Sequence, residues 1–150
     1  MYRKLEVGRP VEDFRPWGDV CGPYKVVAGH TYFGDFVLMN PDNGQFALLL
    51  PMRAKIFPMN CFTNEDFENF LSQDDVVDEF LRSDDVASLV DRLGALEEDE
   101  IFIPVPYPFL GGRCELDSYE KGNVWTFAKV VGAMQGVGGE DDASVSVVGE

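Results

Sequence analysis

The chain has 150 residues, 45% apolar and 13% aromatic, with 27 acids against 12 Lys and Arg, for a formal net charge of −15. That apolar content excludes an intrinsically disordered chain, and no window approaches the roughly 20 consecutive apolar residues that span a bilayer. The shortage of Lys and Arg argues against nucleic acid or an anionic membrane as a direct partner, since phosphate binding needs cations, and an acidic surface steers basic partners instead.

The stretch from Met1 to Glu12 is too polar for a secretory signal, so the expected location is the cytoplasm. Residues 1–22 carry Gly8, Pro10, Pro16, Gly18 and Gly22 around Phe14 and Trp17. They read as an irregular N-terminal arm whose aromatics dock on the body, with room for a short strand at Lys4–Val7. Tyr24–His30 is a strand. Phe36 and Leu38, then Phe46, Leu48 and Leu50, are apolar at alternate positions, the period of strands with one buried face. Between them Asn40-Pro41-Asp42-Asn43-Gly44 is a turn, because Pro presets φ and Asn-Gly tolerates positive φ. Arg53–Pro58 follows as a fourth strand.

The character changes at Thr63-Asn64-Glu65-Asp66, a helix start with a capping oxygen and an acid three residues on. Phe67, Phe70 and Leu71 lie at helical spacing. After a break at Ser72–Asp75, Val76, Val77, Phe80 and Leu81 form another inward stripe. Ser83 is placed to cap a third helix, with Val86, Leu89, Val90 and Leu93 inward and Gly94 as its stop. Ile101–Ile103 is a short buried strand. Pro104, Pro106 and Pro108 then force an extended path through a clasp ending at Gly112, with Tyr107 and Phe109 docked on the body. Cys114–Tyr119 reads as a last strand. Asn123 caps a final helix with Val124, Phe127, Ala128, Val131 and Met134 inward and Gly136 as its stop. Residues 137–150 are expected to be a disordered acidic tail.

Between Asn64 and Glu100 fourteen acids face only Arg82 and Arg92, so this segment carries most of the net charge. Helix starts account for some of these acids. A solvated helical face and a functional acidic surface are equal readings of the rest. On the second reading Asp74, Asp75, Asp78, Glu79, Asp84 and Asp85 form an exposed partner-binding patch, because the apolar stripe must point away from them.

No catalytic constellation is evident: the chain has one His and no phosphate-binding loop, GxSxG or HExxH. Cys21, Cys61 and Cys114 are far apart and in no CxxC pair, so neither a disulfide framework nor a metal site is expected, and no cofactor is implied.

The hairpin YFGDFVLMNPDNGQFALLLP, the acidic DFENFLSQDDVVDEFL, the stretch DEIFIPVPYPF with Leu110-Gly111-Gly112, and the closing helix Trp125–Gly136 occur in that order. In this the chain resembles, over Tyr24–Gly136, the C-terminal domain of type VI secretion DNase-immunity proteins, which often follows a GAD-like module. Met1–Pro23 leaves no room for such a module. The resemblance implies an α+β fold, an antiparallel sheet covered by helices in a single domain over 23–136. It also implies a non-catalytic protein that binds and blocks a secreted toxin, a nuclease with a basic groove that an acidic surface can occupy. Two other readings stay open. One is a small ligand-binding or enzymatic domain with His30, Thr31, Tyr32 and Asp35 lining a pocket. The other is an adaptor module of a phage or secretion cluster.

Overall fold

The turn at Asn40–Gln45 is closed by its own side chains. Asn40 Oδ1 accepts from Asp42 N and Asn43 Oδ1 from Gln45 N, both at 2.9 Å, and Asn40 N donates to Gln45 O at 2.8 Å. Gly44 takes a left-handed φ of 79°, which costs a residue without Cβ nothing. In the computed structural model, which describes residues 2–11, 14, 17–113, 115–137 and 146–147, the turn joins β3 (Phe36–Met39) to β4 (Phe46–Leu50). The register pairs Phe36 with Leu49, Val37 with Leu48, Leu38 with Ala47 and Met39 with Phe46. Alternation predicted one buried face, but both are covered. Phe36, Leu38, Ala47 and Leu49 enter one core cluster, and Val37 and Phe46 enter another with Leu48 packed against it.

Around this pair the sheet grows antiparallel through β2 (Val26–Thr31) to β1 (Tyr2–Pro10) on one side and β5 (Lys55–Pro58) on the other. β1 corrects the expectation of an irregular arm. Its nine residues run antiparallel to β2, with Tyr2, Arg3, Lys4, Arg9 and Pro10 paired and a register shift between Lys4 and Arg9, because the open edge of β2 supplies backbone partners that composition alone does not reveal. At the far edge β8 (Ser146–Val147) pairs parallel with Lys55 and Ile56 of β5. That corrects the disordered tail at these two residues, and residues 138–145 and 148–150 lie outside the described set.

One face of the sheet is covered by α3 (Val124–Met134) and by Phe14 and Trp17 from the arm. Trp17 is fully buried, and its indole Nε1 donates to Ala128 O of α3 at 2.8 Å. Asn123 caps α3, accepting from Trp125 N and Thr126 N at 3.0 Å. Gly136 N donates to Ala133 O and Val137 N to Gly132 O, the paired closure of a left-handed glycine stop. Met134, expected inward, is 50% exposed. The inward stripe continues instead from Val131 to Gln135, whose Nε2 reaches Pro51 O at 2.6 Å.

The opposite face is covered by α1 (Asn64–Leu71), through Phe67 stacked on Phe46 at 5.0 Å. Thr63 Oγ1 accepts from Asp66 N at 3.1 Å and Asp66 Oδ2 from Phe62 N at 3.0 Å, a reciprocal cap. Val76–Phe80 forms a π-helical turn, closed by Leu81 N to Val76 O at 2.8 Å. α2 (Ser83–Leu93) follows, preceded by Arg82 and stopped at Gly94. Ser83 is its first helical residue rather than its cap. α2 lies on a separate two-stranded sheet of β6 (Glu100–Pro104) and β7 (Tyr119–Asn123), with Val86, Leu89, Phe102 and Tyr119 between them. The strand expected at Cys114–Tyr119 therefore starts only at Tyr119, as β7, and Leu116–Ser118 is a 3-10 turn, fixed by Ser118 Oγ donating to Glu115 O at 2.7 Å. Cys114 lies outside the described residues. In the clasp, Gly112 N closes on Tyr107 O at 3.0 Å and Tyr107 packs edge-on against Phe127 at 6.0 Å. The expected docking of Phe109 falls on a side chain outside the described set.

Strand β6 joins the layers. Ile101 enters the core under α3 and Phe102 the core under α2. The architecture is α+β. No helix of the described residues is long and apolar enough to cross a membrane. Trp17→Ala removes a fully buried indole and leaves Ala128 O without its donor, and should cost about 3–5 kcal/mol. Urea unfolding followed by circular dichroism measures this, and a loss below 1 kcal/mol would place Trp17 outside the core.

Candidate functional site

The turn from β2 to β3 is built on Thr31. Its buried Oγ1 accepts from Phe33 N and Asp35 N, both at 3.2 Å, and its amide donates to Asp35 O at 2.8 Å. Gly34 takes φ +84°, and a Cβ there would meet Phe127 and Ile101 at 2.7 and 2.8 Å. This tight turn fixes Asp35 at a cleft of about 500 Å³, also lined by Phe33, Leu50, Met52, Arg53, Glu79, Phe80, Arg82 and Pro108.

Arg82 anchors the far wall. It is a non-glycine residue at φ 53°, a conformation that costs roughly 1–2 kcal/mol. Its side chain offsets that cost. Nε meets Asp85 Oδ2 at 2.9 Å, Nη1 donates to Tyr119 Oη at 3.0 Å, and the guanidinium lies 4.0 Å over the Phe33 ring. Arg82 is thus committed to holding α2 on the β6–β7 sheet. Asp35 is half-buried, and among the described residues no hydrogen bond or ion pair reaches its carboxylate. Burial pushes its pKa up to about 7, although Arg82 and Arg53 pull the other way.

His30, read from the sequence as a pocket residue beside Asp35, is not in this lining. It is fully buried, with Nδ1 2.9 Å from Thr31 O and its ring 6.1 and 6.2 Å from those of Phe36 and Trp125. The carbonyl can only accept, so Nδ1 carries the proton. Nε2 has no partner among the described residues, and burial lowers the pKa, keeping the ring neutral. The two groups that an acid–base pair would need are therefore not brought together. Cys21 is buried, its Sγ 3.2 Å from Trp17 O and its pKa pushed up to about 12 by burial. Cys61 is buried too. Among the described residues no group of three His, Cys, Asp or Glu side chains could hold a metal ion.

Of the six acids expected to form a patch, Asp74, Asp75, Asp78, Glu79 and Asp84 are exposed. They occupy the turns before α2 and its first residues. Asp85 differs, being half-buried and bound to Arg82. Glu79 belongs to the cleft as well as to the patch. Asp35, Arg53 and Arg82 were missed as a set, because residues so far apart in sequence meet only in the fold. The available signal was Arg82, a rare base among fourteen acids.

The family model described as T6SS immunity protein Tdi1, C-terminal, matches residues 62–135. The chain resembles type VI secretion immunity proteins over this half. The matched residues hold α1, α2, α3, the β6–β7 sheet and the acidic segment. The hairpin, taken from sequence as part of the resemblance, precedes them. No curated protein matches the chain. Among solved structures, the crystal structure of Atu4351 from Agrobacterium tumefaciens is similar at a TM-score of 0.59 and 13% identity, over 87% of this chain and 65% of that one. At that identity the likeness shows the fold, and this chain spans 65% of that structure's length.

The raised pKa of Asp35 has a definite sign. Between about 3.8 and about 7 the folded state holds a proton that the unfolded chain has released, so stability falls as pH rises through that window. His30 acts oppositely, since its lowered pKa costs stability as pH falls below about 6.5. Comparing Asp35→Asn with the parent cancels the His30 contribution. The variant should match the parent near pH 4 and melt a few degrees higher at pH 8, on the order of 1 kcal/mol. Thermal melts across pH measure this, and a difference that does not change with pH would mean that Asp35 titrates normally.

Proposed function

We propose that this chain is a cytoplasmic immunity protein that binds and blocks a secreted toxin, a nuclease effector with a basic surface, without catalysing a reaction itself. The observation that carries the reading is the family match over residues 62–135, which are also the residues that hold most of the negative charge. The exposed acids before and within the start of α2 lie on segments whose apolar residues, Val76, Leu81, Val86 and Leu89, are buried. Such a face can change charge without loss of the core. Exposed acids attract a basic partner over distances on the order of a Debye length, about 8 Å at physiological salt, and act chiefly on the association rate.

Co-expression with a toxin encoded by a neighbouring gene should protect cells, and the two proteins should co-elute on gel filtration. Absence of both protection and a complex would overturn the reading. In stopped-flow measurements association should slow about tenfold or more between low and high salt, while dissociation changes little. Replacing Asp74 and Asp78 together by Lys should slow association at low salt and leave the melting temperature within about 2 °C of the parent, since both side chains are exposed. A flat salt dependence with full protection by the Lys variant would assign these acids to solubility.

A further inference from the structure

Four of the five exposed large apolar side chains among the described residues stand on two neighbouring elements, Val105 and Leu110 on the clasp and Val130 and Met134 on α3. Packing brings these elements together. Tyr107, between Val105 and Leu110, lies edge-on against Phe127 of α3 at 6.0 Å. Val130 and Met134 stand at i+3 and i+7 from Phe127, so they continue its flank of the helix beside the clasp. At the end of α3, Gln135 Nε2 reaches Pro51 O at 2.6 Å, and the turn Pro51–Arg53 touches Pro108–Leu110. The result is an apolar strip along α3 and the clasp, where a monomer more often carries scattered apolar residues. The charge on these elements is of one sign. Across Pro51–Arg53, Pro104–Arg113 and α3 the charged residues are Arg53, Arg113 and Lys129, all exposed, and no acid stands among them. The chain as a whole carries −15. Such a face repels the basic partner that the acids before α2 would attract. It suits a partner that is apolar at the contact and negative overall, and a second copy of this chain is both.

We propose that the strip of Val105, Leu110, Val130 and Met134 is the surface on which two copies of this chain pair about a twofold axis, α3 against α3. A twofold pairing sets the same strip against itself, so the assembly closes at two copies. A stable dimer hides roughly 800 Å² on each copy, about a tenth of the 8247 Å² that this chain exposes. The outer flank of α3, about 16 Å long, and the clasp beside it supply a surface of that order. Two copies at −15 each repel at long range, and an acid-free face is where that approach is opposed least. Salt screens the repulsion, so the dimer tightens as salt rises, whereas association with a basic partner slows. The pairing does not rest on the immunity reading, since it needs no toxin.

Sedimentation velocity on the full chain, across a concentration series, measures the pairing. A reversible monomer–dimer equilibrium should appear, and the dimer should tighten about tenfold or more between about 20 mM and 0.5 M salt. Val130→Glu and Leu110→Glu, one on each element, should each weaken the dimer at least about tenfold, because each sets a carboxylate in an apolar contact close to its own symmetry copy. Both variants should melt within about 2 °C of the parent, since both side chains are exposed. Replacing Asp74 and Asp78 by Lys, which lowers the net negative charge away from the strip, should tighten the dimer. Amide exchange should slow with rising concentration at Val105, Leu110, Val130 and Met134. A chain that stays monomeric up to about 0.5 mM in 0.5 M salt would overturn the proposal, as would a dimer that neither Glu variant weakens. Protection of the strip by a toxin bound to a chain that remains monomeric would also overturn a second copy as its occupant. A dimer that behaves as expected in a chain that protects against no toxin would leave the pairing standing and overturn only the immunity reading.

Discussion

The structure depends on burying the β3–β4 pair on both faces. A hairpin with one wet face needs a single covering layer. Here Phe36, Leu38, Ala47 and Leu49 face one way and Val37 and Phe46 the other, all nearly inaccessible to water. Burial of apolar surface at about 25 cal/mol per Å² therefore demands two lids. α3 with Trp17 and Phe14 supplies one, and α1 with Phe67 supplies the other. The tight connections follow from this demand, since the chain must pass from one face to the other around the ends of a short sheet.

The third layer, α2 on β6–β7, is joined to the first two through adjacent residues of one strand. Ile101 and Phe102 point into different cores, as successive residues of a strand must. Two backbone bonds fix the junction, Phe102 N to Tyr32 O at 2.8 Å and Val124 N to Asp99 O at 2.7 Å. Arg82 adds the polar counterpart, tying the entry of α2 to Tyr119 and stacking on Phe33. The cleft forms where this layer meets the hairpin sheet, so its shape depends on the docking of the two and not on any single element.

The same layout separates two kinds of negative charge. The acids of the turns before α2 sit in water, where they cost the fold little. Asp35 is held half-buried by the Thr31 turn, where it costs stability above neutral pH. His30 is fully buried, and its aromatic surroundings and its bond to Thr31 O make it part of the core.

Local chemistry was legible without the fold. Thr63 and Asn123 cap because a side-chain oxygen stands before a run of helix formers. Gly94 and Gly136 stop helices because they accept left-handed geometry. Asn40–Gly44 turns because its side chains bond its own backbone. The α+β class and the acidity of the α1–α2 segment were legible for the same reason, since periodicity and charge are properties of short windows. Pairing was not. The strand at Tyr2–Pro10 exists because β2 has an open edge, and the shift of the last strand to Tyr119–Asn123 reflects its fit beside β6. Which face of Phe46 and Leu48 is buried follows from register, which a hydrophobic pattern alone leaves undetermined when both faces are covered. The cleft was the least legible feature. Asp35, Arg53, Glu79 and Arg82 come from separate elements, and only tertiary packing places a half-buried carboxylate beyond the reach of both arginines.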